Sequence, residues 1–204
     1  MHAFRSLKRE FSFIHGNVLV LMVSWVLMNF AMSIPDTYYS LFVLELGATP
    51  FILGVIGFIS LIALALVQFP GGYLADKYGR RRLIVAMTFC AGLANIFYAI
   101  APSWHFVLIG AVIFNLCLIY QAALGAIMAD SLPPGKRGMG FSIMGIVRAV
   151  SIASPLVAGL LYVNYGLVQG MRIAYLLVTI GFLLAAIIRM KLKETLNVDA
   201  SGVS

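Results

Sequence analysis

The chain has few charged residues. Asp, Glu, Lys and Arg make up 10% of its 204 residues, whereas hydrophobic residues make up 62%. Because soluble globular domains carry about 25% charged residues, this composition excludes that class. The mean hydropathy of +1.02 instead indicates a chain surrounded by lipid. We therefore expect an integral membrane protein whose first partner is the lipid bilayer.

Cysteine and histidine are also scarce, with two and three residues. Cys90 and Cys117 fall inside apolar stretches, so we interpret both as small core residues rather than a disulfide framework. The histidines lie at or outside the ends of those stretches, where none could act as the base for a serine nucleophile such as Ser142. A metal site would need clustered His and carboxylates, and the sequence has no such cluster. The sequence predicts neither an enzyme nor a cofactor.

Six apolar stretches are long enough to cross a hydrocarbon core of about 30 Å. Gly and Pro turns separate them, and the connections are so short that successive helices must run antiparallel. We predict an all-α polytopic membrane protein with one six-helix bundle over residues 1–193 and a disordered tail over 194–204. The sixth stretch has little that is polar besides Thr179, and we expect it to face lipid. The stretches cover residues 17–46, 50–78, 83–101, 104–130, 138–164 and 171–188.

The net charge of +7 would suit a nucleic-acid partner, but the positions of the cations exclude one. The loops after the first and third stretches contain no Lys or Arg, and the loop after the fifth has Arg172 alone. By the positive-inside rule, the side with the cations is cytoplasmic. We expect a protein of the plasma membrane, the inner membrane of a bacterial cell, with both termini cytoplasmic. The cations on that side are Arg5, Lys8, Arg9, Lys77, Arg80, Arg81, Arg82, Lys136, Arg137, Arg189, Lys191 and Lys193.

One face of the second stretch consists mostly of small side chains. Its members recur at spacings of three and four, which places them on one side of a helix. In lipid such a face is a main source of helix packing energy, so another helix is expected to approach it closely. The small residues on this face are Gly54, Gly57, Ala65 and Gly72, and Asp76 follows them.

The segment GGYLADKYGRRRL, residues 71–83, has more features than a topology signal needs. Cations alone would fix the orientation of the chain. Gly72 leaves room for a neighbouring backbone, Asp76 offers a carboxylate at the membrane surface, and Gly79 permits a sharp turn. A carboxylate there could accept hydrogen bonds from the N-terminus of another helix.

This segment resembles the loop between helices two and three of the major facilitator superfamily. The matching residues are Gly72, Asp76, Lys77, Gly79, Arg80 and Arg81. A looser resemblance covers ADSLPPGKRGMGF, residues 129–141, where Asp130 and Arg137 correspond to an acidic and a basic position that pair with the first loop. The resemblance implies that these eight residues form a cytoplasmic latch between two halves of a transporter. The alternative is a topology and solubility cluster alone.

The resemblance covers nearly all of this chain but half of a standard superfamily member. Such a member has two six-helix halves, each a 3+3 repeat, and the substrate site lies between them. A lone half lacks one wall of that site. Two copies could pair, a second polypeptide could supply the other half, or the chain could be a fragment cut after Lys193.

Two ionisable residues, Asp36 and Arg148, lie deep inside the stretches, where charges are costly and often functional. Asn29, Ser33 and Asp36 recur at helical spacing and form a polar stripe. A desolvated carboxylate on that stripe could take up and release a proton near neutral pH, and it could pair with Arg148. The alternatives are a polar group near the outer mouth for Asp36 and a structural side chain bonded to helix carbonyls for Arg148.

On the fourth stretch, Asn115, Tyr120 and Gln121 are candidates to line a cavity. Many proton-coupled drug exporters of the superfamily carry an Arg three residues before a Gln on this helix. Leu118 occupies that position here, which argues against drug efflux. Trp25 could contact a substrate or serve as an interfacial anchor.

The sequence as a whole predicts secondary active transport of a small solute by alternating access. Asp36 favours proton coupling, as symport or antiport, and the chain would act as one half of a 12-helix transporter. The alternative is a six-helix scaffold or regulatory subunit that does not transport.

Overall fold

The computed structural model describes residues 14–136, 138–140, 142, 145 and 148–196, and no strand occurs among them. Short 3₁₀ helices occupy Leu118–Tyr120, Pro134–Lys136 and Arg148–Ala153. The α-helices whose bounds are described are α1 (Gly16–Asp36), α2 (Tyr39–Glu45), α3 (Pro50–Tyr78), α4 (Arg80–Ala99), α5 (Trp104–Cys117), α6 (Gln121–Ser131), α7 (Ser154–Tyr165) and α8 (Leu167–Arg189). Residues 138–140, 142 and 145 are also helical.

Five helical segments are long and apolar enough to cross a membrane. They are Gly16–Asp36, Pro50–Tyr78, Arg80–Ala99, Trp104–Ser131 and Leu167–Arg189. The predicted fifth stretch, 138–164, falls partly outside the described residues, and its described part ends in the shorter helix α7. The all-α, polytopic membrane fold predicted from the sequence is therefore confirmed.

The first stretch does not form the single helix predicted over 17–46. Helix α1 ends at Asp36, directly after Pro35, and α2 begins at Tyr39. The backbone N–H of Tyr38 bonds to the carbonyl of Pro35 at 3.1 Å, which closes a turn between the two helices. Because Pro35 has no N–H and crowds the preceding turn, a helix tends to end or bend there.

Helix α8 packs on one side against α1 and α4. Half of the residues in its most apolar 18-residue stretch are buried, so the prediction that this helix faces lipid was wrong for the side that packs against α1 and α4. Small residues permit the close approach: a Cβ built on Gly181 would lie 2.9 Å from the Cβ of Ala31, and one on Gly92 would lie 3.0 Å from that of Phe182. The hydroxyl of the polar residue Thr179 donates a hydrogen bond to the carbonyl of Tyr175 at 3.0 Å.

Helix α3 is the least covered of the five spans, because only 17% of its most apolar 18-residue stretch is buried. Its buried side consists of Ile56, Ala63, Val67, Gly71 and Ala75. On the other side, no described atom of a neighbouring element lies within 4 Å of the Cβ positions of Gly54, Gly57 or Gly72. The small-residue face predicted to receive a neighbouring helix is thus uncovered in the described part of this chain.

Candidate functional site

A sharp turn at Gly79 joins α3 to α4. Gly79 has a φ of 92°, a value that L side chains rarely adopt, and its N–H bonds to the carbonyl of Ala75 at 3.0 Å. Helix α4 begins at Arg80, three residues before the predicted start, so the arginine run forms its first turn. Cations at the positive end of a helix dipole are unfavourable, and nearby carboxylates must offset them. We call the end of the bundle that contains Gly79 and the arginines from Arg80 onward the charged end.

Arg80 and Asp130 form an ion pair that connects α4 to α6. Nη1 of Arg80 donates a hydrogen bond to Oδ2 of Asp130 at 2.5 Å. Oδ1 of Asp76 lies 3.6 Å from Nη2 of the same guanidinium. The Arg80 side chain is 17% exposed, compared with 45% for Asp130 and 64% for Asp76. The closer contact is therefore with Asp130, and the structure brings together three of the residues that the sequence assigned to the latch.

Glu194 offsets the arginines at the start of α4. Its Oε2 accepts a hydrogen bond from the backbone N–H of Arg81 at 2.9 Å. The Arg81 side chain in turn donates from Nη2 to the carbonyl of Met190 at 2.7 Å, near the end of α8. An acidic side chain at a helix N-terminus is favoured by the helix dipole. Glu194 thus belongs to the charged end, although the sequence analysis placed it in a disordered tail.

Residues 190–195 form a strap that lies across the charged end. The Asn17 side chain bonds to both the carbonyl and the N–H of Lys193, at 2.9 and 2.7 Å. Leu192 is buried, with 3% of its surface exposed, and Thr195 accepts from Arg80 at 3.4 Å. The strap therefore joins the chain after α8 to the beginning of α1. The predicted tail residues 197–204 lie outside the described residues.

The remaining latch residues are less engaged. Lys77 is exposed, and its ammonium lies 5.8 and 5.5 Å from the ring centroids of Tyr73 and Tyr78. Gly72 lies on the uncovered face of α3. Arg137 falls outside the described residues, so its part in the latch stays a prediction.

A double-mutant cycle with Arg80→Met and Asp130→Asn tests the energetic coupling across the charged end. We expect a coupling energy of about 1 kcal/mol, the upper end for partly exposed pairs, measured by chemical unfolding in detergent micelles. Lys77→Met is the matched control, because Lys77 is a neighbouring cation with no ion pair among the described residues. Additive effects of the two substitutions would mean that the pair does not hold α4 to α6.

A cavity of about 420 Å³ opens near the middle of the bundle, between α1, α6 and α8. The 3₁₀ turn at Leu118–Tyr120 contributes to its wall, and Gly125 leaves space on α6. Small-solute sites are typically 300–1,000 Å³ with a few polar groups among apolar ones. The lining residues are Trp25, Met28, Asn29, Met32, Leu118, Tyr120, Gln121, Leu124, Gly125 and Phe182.

Asn29 and Gln121, two of the candidate site residues, line this cavity together. The amide of Asn29 donates to the carbonyl of Trp25 at 2.8 Å, which leaves its Oδ1 as an acceptor. The Oε1 of Gln121 accepts from Nε2 of Gln68 at 3.4 Å, so a residue of α3 borders the opening. Trp25 and Tyr120 also line the cavity.

The other candidates lie elsewhere. Asp36 is exposed at the last residue of α1, and neither Ser33 nor Asn115 lines the cavity. Asn115 donates to the carbonyl of Ala111 at 2.8 Å, a bond within its own helix. The side chain of Arg148 lies outside the described part of the chain, so its pairing with Asp36 stays a prediction.

The sequence analysis counted Arg189 among the cations of the cytoplasmic side and did not anticipate its burial. Arg189 ends α8 with none of its surface exposed. Its Nε donates to Oγ of Ser24 at 3.1 Å, and its Nη1 donates to Oγ1 of Thr88 at 2.6 Å. The guanidinium carbon lies 5.2 Å from the ring centroid of Tyr120, which lines the cavity. Within the sequence, the one available signal is that Arg189 comes directly after a continuous apolar run.

Comparisons with known proteins identify the family of the chain. The sequence profile of the Major Facilitator Superfamily matches residues 11–201. The chain is 27% identical over 136 residues to the "Na(+), Li(+), K(+)/H(+) antiporter" of Planococcus maritimus, which covers 63% of this chain and 31% of that protein. It is 28% identical over 174 residues to the "Probable 4-methylmuconolactone transporter" of Cupriavidus pinatubonensis, which covers 84% of this chain and 40% of that protein. The chain thus spans less than half the length of these relatives.

Proposed function

Because the chain belongs to the major facilitator superfamily, we propose that it forms one half of a secondary transporter that moves a small solute by alternating access. The charged end faces the cytoplasm in this proposal, as the positive-inside rule requires for a cluster of Lys and Arg. The bilayer is then the plasma membrane, and both ends of the chain lie in the cytoplasm.

The observation that carries the proposal is the open cavity. It has the size of a small-solute site, about 420 Å³, and combines the amides of Asn29 and Gln121 with aromatic rings. Gln68 bonds to the lining residue Gln121 from α3, the helix that the rest of the chain covers least. A site of this kind needs a second wall before it can enclose a solute.

A second six-helix body supplies that wall in our proposal, either another copy of this chain or a separate polypeptide. The uncovered face of α3 is suited to it, because Gly54, Gly57 and Gly72 would let another helix approach closely. The exposed carboxylate of Asp76 at the end of the same face is unsuited to lipid. Both features favour a protein neighbour on this side.

The charged end acts as the latch of the alternating-access cycle in this proposal. Arg80 and Asp130 hold α4 to α6, and Asp76 remains exposed for a partner on the second body. Asp36 is the proposed proton-binding group, since it is the one acidic residue of α1 and lies on the polar stripe of that helix. The name of the relative from Planococcus maritimus includes proton exchange, which supports coupling to protons.

Reconstitution tests the proposal. The purified chain is first weighed in mild detergent by light scattering corrected for bound detergent, then placed in vesicles that contain a pH-sensitive dye. We expect proton movement after addition of Na⁺, Li⁺, K⁺ or 4-methylmuconolactone only in vesicles made from particles that contain two six-helix bodies. If two copies of this chain pair, the protein mass of such a particle is twice 22.2 kDa. Flux from a single chain would contradict the need for a second half. Flux without any pH change would contradict proton coupling.

A further inference from the structure

Arg189 is a buried cation without a neighbouring carboxylate in the described part of the chain. Of the seven acidic residues, only Glu10 and Asp199 lie outside the described residues, and the others form no ion pair with Arg189. A guanidinium cannot lose its proton inside a protein, so Arg189 remains charged. A buried charge of this kind is costly unless something compensates it.

The groups around Arg189 compensate its charge only in part. Ser24 and Thr88 accept from the guanidinium while their own hydroxyls donate to the carbonyls of Leu21 and Ile84, at 3.0 and 2.6 Å. The ring of Tyr120 offers its negative face. The third nitrogen, Nη2, is buried and has no hydrogen-bond acceptor among the described residues. The positive charge is thus stabilised by dipoles and is not neutralised.

The guanidinium lies directly behind the wall of the cavity. Tyr120 contacts it with a ring face and also lines the cavity, and Ser24 precedes the lining residue Trp25. Helical side chains point toward the N-terminus of their own helix, so Arg189 points from the charged end toward the level of Phe182. In the poorly polarisable interior, its field reaches the cavity with little screening.

No carboxylate in the described lining of the cavity would repel an anion. Its described lining includes no Asp or Glu, and Asp130, farther along α6, is already paired with Arg80. Asn29, Gln121 and Tyr120 offer the polar atoms of the lining. A negatively charged solute would therefore meet one uncompensated positive charge and no negative one.

We propose that the cavity selects solutes that carry an anionic group such as a carboxylate, with Arg189 as the positioning charge that acts through Tyr120. The inference rests on the proposed solute site and names its substrate class. Arg189 does not touch the solute, because it is sealed behind the wall. Its charge favours an anion in the cavity, and the ring of Tyr120 lies between the guanidinium and that anion.

Binding of benzoate and benzamide tests this selectivity, since the two probes share one shape and differ in charge. Trp104→Phe leaves Trp25, in the cavity wall, as the single fluorescent tryptophan. We expect the purified chain to bind benzoate about tenfold more tightly than benzamide by quenching of Trp25. Arg189→Gln should bring that ratio close to one, whereas Arg189→Lys should retain most of it.

The outcomes separate this inference from the function on which it rests. Equal binding of the two probes to the unaltered chain, or a preference for benzoate that survives Arg189→Gln, overturns the carboxylate selectivity alone. Absence of binding by either probe overturns the solute site as well. If Arg189→Gln does not fold, Tyr120→Phe keeps the ring and the buried cation, and we expect it to retain a preference for benzoate. Loss of that preference in Tyr120→Phe would count against Arg189 as its source.

Discussion

An alanine at Gly71 should lower the unfolding temperature of the bundle by about 4 °C or more, equivalent to about 2 kcal/mol of overpacking strain. A Cβ at this position would collide with the carbonyl oxygen of Ile119, in the 3₁₀ turn that interrupts the fourth span. The obstacle is backbone, which cannot rotate aside as a side chain can. The measurement is thermal unfolding of the purified chain in detergent.

Gly72→Ala is the matched control for this prediction. It lies one residue farther along the same helix, and no described atom of a neighbouring element lies within 4 Å of its Cβ position. Because alanine favours a helix more than glycine does, we expect the unfolding temperature of this variant to be unchanged or slightly raised. Equal losses of stability for the two variants would mean that the contact with Ile119 does not explain the result.

A phenylalanine at Gly125 should close the central cavity without disturbing the fold. No described atom of a neighbouring element lies within 4 Å of this Cβ position, and the residue lines the cavity opposite Asn29 and Trp25. In a chain whose single tryptophan is Trp25, we expect quenching by acrylamide to fall by about twofold or more, because the quencher enters by the cavity. Solute-driven proton movement in vesicles should be lost in the same variant.

Gly159→Phe provides the comparison for the cavity variant. Gly159 lies on α7, also without a described contact at its Cβ position, but it does not line the cavity. Its quenching and proton movement should match those of the unaltered chain. If quenching of Trp25 is the same in Gly125→Phe, the tryptophan is reached by another route and the cavity is not the path of entry.

The spans could be predicted from the sequence because lipid imposes a long apolar run on each of them. The residues at the ends of those runs were harder to place. The arginines from Arg80 onward look like a loop in sequence, yet they form a helical turn because Asp130 and Glu194 supply negative charge from elsewhere in the chain. Glu194 lies 113 residues from Arg81, and no local pattern indicates that contact.

Parts of the candidate site could be found by helical spacing and parts could not. Asn29 was identified because polar residues recur along one face of α1, and Gln121 because it is polar within an apolar run. Arg189 was missed because a cation at the end of an apolar run usually reaches water. Whether such a side chain turns inward depends on hydroxyls at Ser24 and Thr88 on two other helices, which only the fold brings together.

The bond between Asn17 and Lys193 has a consequence for the biogenesis of the bundle. These residues are separated by 176 positions in the chain. At a synthesis rate of roughly 5 to 20 residues per second, the partner of α1 emerges roughly 10 to 35 s after α1 itself. Until α8 arrives, the faces of α1 and α4 that it covers remain available to lipid or to an insertion factor. The packing of α1 is therefore completed only after α8 has been synthesised, when that helix joins it.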